Sequence, residues 1–199
     1  MNIAVFVSGS GTNLQAIIDR IENDFLRGVS ISLVLSSRED VYALERARIN
    51  QIPSLVIRKK DYKSQKTYDQ AMIDALEGKD IDLIVLAGFL SKLGPDFISK
   101  YRWKIINIHP SLIPAFSGEG MYGLKPHEAA LARGVKLTGA TVHFVDEVYD
   151  NGPIILQKSV EINDDDSPQS LQKRVMAEAE QLLLPLAIKM IRDGDIPLK

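Results

Sequence analysis

Asn2-Ile3-Ala4-Val5-Phe6-Val7-Ser8-Gly9-Ser10-Gly11-Thr12-Asn13-Leu14 begins as a short apolar run, passes through a glycine-spaced polar loop and enters a helix. Asn2 to Val7 reads as a central strand. Leu14, Ile17, Ile18 and Ile21 then fall at i, i+3, i+4 and i+7, one apolar helix stripe. Strand, glycine loop and helix together make an anion cradle. The glycines let the backbone approach a ligand, and the helix start supplies free amides and a favourable dipole. Thr12 and Asn13 add side-chain donors. The plainer reading is a helix cap after a tight turn. Gly9 and Gly11 also match the first two glycines of G-x-G-x-x-G, but Leu14 holds the third position. The next strand, 30–35, ends in Ser36-Ser37-Arg38 rather than an acid for a ribose, so a nicotinamide cofactor is disfavoured.

The same alternation continues. Helices are expected at 41–50, 61–76 and 95–101, and strands at 54–57 and 81–86. Strands alternating with helices and few hairpin signals imply an α/β layer fold with a mostly parallel sheet. Right-handed crossovers should then gather the loops at 8–13, 87–93 and 109–114 along one sheet edge. Residues 115–125 carry three glycines and little periodicity and are expected to form a flexible loop. A short helix follows at 126–133, with His127 expected on its exposed side. Two strands, 136–145 and 153–162, have no helix between them and should add in antiparallel fashion. From Ser167 a long covering helix is expected, with Pro185 kinking or interrupting it. The sheet thus has about seven strands.

Composition bounds the function. The chain has 199 residues, 45% hydrophobic and 25% charged, with a formal net charge of -2 and no cysteine. That fits a single domain with an ordinary core. No basic field would grip nucleic acid, and thiolate chemistry and cysteine-type metal sites are excluded. No apolar run reaches the roughly 18 residues of a membrane span. The start of the chain runs straight into a strand, without a secretion leader, so a cytoplasmic protein is expected.

The chemistry concentrates at Ile105-Ile106-Asn107-Ile108-His109-Pro110. Pro110 has no backbone donor and biases His109 away from helix, so a strand should end there. Alternation places Asn107 and His109 on one face. An amide can hold a developing oxyanion, and an imidazole can donate or take a proton near neutral pH. The alternative is a surface histidine beside a turn asparagine.

Val7 to Leu14, Leu86-Ala87-Gly88-Phe89, Asn107 to Leu112, Thr138 to Val145 and Asp150-Asn151-Gly152-Pro153-Ile154 occur in this order. Together they closely resemble the phosphoribosylglycinamide formyltransferase family of the folate-dependent formyltransferase superfamily. The resemblance covers nearly the whole chain. It implies a Rossmann-like three-layer fold in one domain, with residues 1–100 as the nucleotide-binding half and 101–199 as the catalytic and folate-binding half. It also implies transfer of the formyl group of 10-formyltetrahydrofolate, a co-substrate, to the amine of glycinamide ribonucleotide without a metal. By the resemblance, Asn107 donates to the oxyanion and His109 is general acid and stabiliser. Asp150 pairs with His109, raises its pKa and helps move the proton. Gly11, Thr12 and Asn13 take the nucleotide phosphate, and Glu180, or nearby Glu178, the ribose. Phe89, Leu90, Ser91, Lys92, Leu93, Asp146, Glu147, Val148 and Tyr149 line the folate groove. Thr141 and His143 support the site. Gln65 and Lys66 stand where many relatives have an arginine, leaving folate-tail contacts there open.

Alternatives remain at this level. A formyltetrahydrofolate hydrolase would share Asn107, His109 and Asp150 but usually carries an extra N-terminal domain. A methionyl-tRNA formyltransferase would be longer and more basic. A non-catalytic nucleotide-binding module rests on the first glycine loop alone. A metal hydrolase would need His109, His143 and Asp150. The expected partners are small molecules, not nucleic acid or membrane, for a monomer or homodimer.

Overall fold

The computed structural model describes residues 1–198. Its strands are β1 (Asn2–Val7), β2 (Ser30–Ser36), β3 (Ser54–Val56), β4 (Leu83–Leu86), β5 (Ile105–His109), β6 (Leu137–Phe144) and β7 (Ile154–Glu161). Its helices are α1 (Thr12–Glu22), α2 (Tyr42–Ile49), α3 (Gln65–Leu76), α4 (Pro95–Lys100), α5 (Lys125–Arg133), α6 (Pro168–Val175) and α7 (Gln181–Arg192). The strands form one sheet in the order β3-β2-β1-β4-β5-β6-β7. β1 pairs in parallel with β2 and β4, β2 in parallel with β3, and β6 antiparallel with β7. The mostly parallel α/β sheet with an antiparallel addition is therefore present. Two compact units are formed, residues 1–106 joined by 197 and 198, and residues 107–196.

In the first unit β1 is central because Ile3 to Val7 are fully buried between β2 and β4. Burial of each of the larger ones, Ile3, Val5, Phe6 and Val7, stabilises the fold by about 1.5–3 kcal/mol. The chain runs from β1 outward to β3 and then returns to β4 on the other side of β1. The carboxyl ends of β1 and β4 thus flank a switch point, where open α/β sheets bind ligands.

α3 starts at Gln65 rather than Asp61. Ser64 caps it, accepting from the Thr67 N–H at 3.2 Å, while Asp61 is held by Arg58 Nε at 2.6 Å in a separate 3₁₀ turn, Lys59–Asp61.

In the second unit the covering helix is not broken at Pro185, which lies inside α7. The interruption is a π-helical turn, Met176–Glu180, immediately before α7. Proline gives no N–H to the carbonyl four residues back and its ring crowds that carbonyl, here that of Gln181. The widened turn sits directly upstream of that point.

The 115–124 segment is tied down rather than free. Ser117 Oγ donates to the Pro114 carbonyl at 3.0 Å, and Gln172 Nε2 to the Gly123 carbonyl at 3.1 Å. No described helix is long and apolar enough to cross a membrane.

Candidate active site

In the first unit two loops carry residues singled out from the sequence. Gly11 precedes α1 in a left-handed conformation, φ 72°. A Cβ there would lie 2.7 Å from Ala43 Cβ in α2, so both backbone shape and close packing require glycine. α1 has no side-chain cap at that end, the end where a helix's first amides point outward. Thr12 is half-buried and Asn13 buried. The loop after β4 joins this one directly, because the Leu90 N–H donates to buried Ser8 Oγ at 2.8 Å and Ser8 Oγ also meets Ser37 Oγ at 2.5 Å. Loops 8–13 and 87–93 are therefore neighbours, as the crossover rule requires.

The residues of 89–93 divide. Leu90 is exposed, and the side chains of Phe89 and Leu93 turn inward. Phe89 stacks edge-on against Phe6 at 5.3 Å. Ser91 is half-buried beside the Tyr68 hydroxyl. Gln65 Nε2 donates to the Lys92 carbonyl at 3.1 Å and to Asp69 Oδ1 at 2.7 Å. Gln65 thus braces the loop from below, while Lys66 is exposed.

The second unit brings Asn107, His109, His143 and Asp150 into one connected set. His109, 4% exposed at the end of β5, places Nδ1 3.4 Å from Asp150 Oδ2. Its Nε2–H donates to the Phe116 carbonyl at 3.0 Å. Asp150 Oδ2 also accepts from the Gly118 N–H at 2.9 Å. Residues 116–118 therefore clasp both members of the pair. Phe116 and Asp150 both have φ 52°, an uncommon conformation for side chains with a Cβ. Strain of this kind concentrates at functional sites. Behind Asp150, Gly152 permits close approach, since a Cβ there would meet the Phe144 carbonyl. Thr141 is buried and ties the segment after His109 to β6. It donates to the Ser111 carbonyl at 2.7 Å and accepts from the Ile113 N–H at 3.1 Å.

In the turn 146–150, Asp146 Oδ1 accepts from the Val148 N–H at 2.9 Å and Glu147 is exposed. Val148 and Tyr149 expose apolar surface, 60% and 44%. The π turn directs Glu180 inward, 6% exposed, whereas Glu178 stays outside and pairs with Arg174 at 3.2 Å. Of the two glutamates, only Glu180 is buried.

Burial lowers the His109 pKa below its ordinary 6.5, outweighing the opposing pull of Asp150 and the Phe116 carbonyl. Asp150 alone acts in the direction expected from the sequence, but the net shift is downward because the ring is desolvated. Burial also acts to raise the Asp150 pKa, but His143, His109 and the Gly118 N–H together hold it below the usual carboxylate value. The resting pair at neutral pH is a neutral imidazole and a carboxylate. Asp150→Asn removes the charge that favours imidazolium, so the His109 pKa should fall further. An NMR titration of the His109 ring checks this, and an unchanged or higher value in the variant contradicts it.

Two features escape a reading of the sequence. The first is the clasp by Phe116 and Gly118, made by backbone groups that carry no residue signature. The second is His127, which is fully buried rather than exposed. Neither of its ring nitrogens meets a hydrogen-bond partner among the described residues. Burial and the neighbouring His109 lower its pKa to about 4. Its i, i+3 spacing to buried Ala130 is the signal that places it on the inner face of α5. Among the described residues no group of three or more His, Cys, Asp or Glu is arranged to hold a metal ion.

The sequence pattern of the family described as formyl transferase matches residues 1–188. The chain is 40% identical over 197 residues to the phosphoribosylglycinamide formyltransferase of Haemophilus influenzae, with 99% of this chain and 90% of that protein covered. It is 42% identical over 194 residues to the trifunctional purine biosynthetic protein adenosine-3 of Drosophila melanogaster. There 96% of this chain aligns but spans only 14% of the longer protein. The crystal structure of glycinamide ribonucleotide transformylase 1 from Symbiobacterium toebii matches with a TM-score of 0.91 at 38% identity, covering 100% of this chain and 91% of that one.

Proposed function

Because this chain belongs to the formyl transferase family, we propose that it moves the formyl group of 10-formyltetrahydrofolate onto the primary amine of glycinamide ribonucleotide in de novo purine synthesis. The observation that carries this reading is the close set of Asn107, His109 and Asp150, an amide donor hydrogen-bonded to His143, a buried neutral imidazole and a carboxylate 3.4 Å from its Nδ1. The work is done in the cytoplasm, on two small molecules.

The amine attacks the formyl carbon, a C–N bond forms and the carbonyl oxygen becomes an oxyanion. Asn107 Nδ2–H and His109 Nε2–H donate to that oxygen, which replaces the Phe116 carbonyl as the partner of Nε2. Preorganised donors of this kind stabilise the developing charge without reorganisation. The amine proton passes through water and Asp150 to His109 Nδ1. The ring can then release its Nε2 proton to the departing folate nitrogen as the second C–N bond breaks, so it acts as an acid although its resting form is neutral. The product is the formylated amide, and tetrahydrofolate leaves.

Gly11, Thr12 and Asn13 hold the nucleotide phosphate at the start of α1, and Glu180 holds the ribose. Leu90 to Leu93 and Asp146 to Tyr149 receive the folate, the exposed Val148 and Tyr149 offering apolar surface to its rings. Thr12→Ala should raise the KM for the nucleotide at least about tenfold, since a hydrogen bond to a charged group contributes about 1.5–3 kcal/mol. The folate KM should stay within about twofold, and equal effects on both substrates would remove the phosphate assignment.

The deciding experiment follows tetrahydrofolate release by absorbance with and without glycinamide ribonucleotide. Release only in its presence supports transfer. Equal release without it favours a formyltetrahydrofolate hydrolase, the second reading, which shares Asn107, His109 and Asp150.

A further inference from the structure

We propose that His143 is a positioning residue that fixes the Asn107 amide with its donor end committed to catalysis, an inference that rests on the formyl-transfer reading. His143 lies near the end of β6, where the register against β7 shifts between Val142 and His143. Bulges of this kind re-aim a side chain beside active sites. The ring is buried, 2% exposed. Its Nδ1 lies 2.8 Å from the Phe144 carbonyl, its Nε2 lies 3.2 Å from Asn107 Nδ2, and Asp150 Oδ1 is 3.6 Å from the same Nε2.

The donor inventory orders these contacts. A carbonyl only accepts, so Nδ1 carries the proton. In the neutral ring Nε2 is then a lone pair. A separation of 3.6 Å is too long for a hydrogen bond, and the nearer Asn107 Nδ2 supplies the donor. One amide hydrogen of Asn107 goes to His143 and the second is left for the formyl oxygen. If His143 instead carried its proton on Nε2, the amide would be turned to present its oxygen, and the oxyanion would lose its donor. The backbone around Phe144 locks the arrangement. The Phe144 N–H donates to the Pro153 carbonyl at 2.9 Å, and Gly152 lets the chain pass close to the Phe144 carbonyl that selects the tautomer.

Two measurements test the assignment. In the wild-type enzyme, ¹⁵N NMR of the His143 ring should show a protonated Nδ1 and an unprotonated Nε2; the opposite tautomer or an imidazolium overturns the proposal whether or not any variant folds. In kinetics, His143→Leu should lower kcat about 10- to 100-fold, less than the roughly 10²–10³ lost when an oxyanion donor is removed outright, with both KM values within about twofold. His143→Gln, whose amide oxygen can accept from Asn107, should recover part of the loss. Asn107→Ala together with His143→Leu should be no slower than Asn107→Ala alone, because the two residues act through one hydrogen bond. Losses that multiply instead mark His143 as independent of Asn107 and overturn the proposal. If Asn107→Ala by itself leaves kcat unchanged, the oxyanion assignment fails and the proposal falls with it, even where transfer to glycinamide ribonucleotide is intact.

Discussion

Asp150→Asn should lower kcat by about 10²–10⁴, the usual contribution of positioned acid–base groups, while the protein stays folded and both substrates still bind. The substitution is nearly isosteric. The asparagine oxygen can still accept from the Gly118 N–H that now holds Asp150 at 2.9 Å. The turn at Asp150 need not move, since asparagine also tolerates positive φ. What disappears is the negative charge 3.4 Å from His109 Nδ1 and 3.6 Å from His143 Nε2. Without it the proton arriving at Nδ1 is no longer stabilised, and burial of the imidazolium is left uncompensated. Steady-state kinetics with circular dichroism checks the expectation. Turnover within about threefold of wild type, roughly 0.7 kcal/mol, would remove Asp150 from the proton route.

Asn107→Ala should lower kcat by about 10²–10³ with little change in either KM. This is the loss expected when one preorganised oxyanion donor is deleted. An interaction made only in the transition state lowers kcat and kcat/KM together. Asn107 sits on β5 between buried neighbours, and its amide is held by His143 at 3.2 Å. Truncation therefore removes a donor without opening the strand. A variant that raises KM and keeps kcat would show that Asn107 binds the ground state instead.

Much of this architecture is legible from local rules. The apolar run Asn2–Val7, the helix stripe that follows it and the proline after His109 each act through their sequence neighbours, so strand, helix and strand end could be read in order. Gly11 was singled out for its loop, and the close approach of Ala43 is the reason no other residue fits. Pro185 is expected from the sequence to kink or interrupt the covering helix, but it lies inside α7, and the interruption is the π turn Met176–Glu180 before it. In that turn Glu180 faces inward while Glu178 stays in solvent.

The amino-acid order by itself determined the alternation of strands and helices, the glycine cradle before α1 and the shared face of Asn107 and His109, because backbone sterics and side-chain periodicity are properties of neighbouring residues. Only the tertiary structure decided which groups those side chains meet: the Phe116 carbonyl at His109, the lone pair of His143 at Asn107, and the burial of His127. Hydrogen-bond partners and desolvation depend on segments far apart in the chain, and a backbone carbonyl leaves no mark on the residue that carries it.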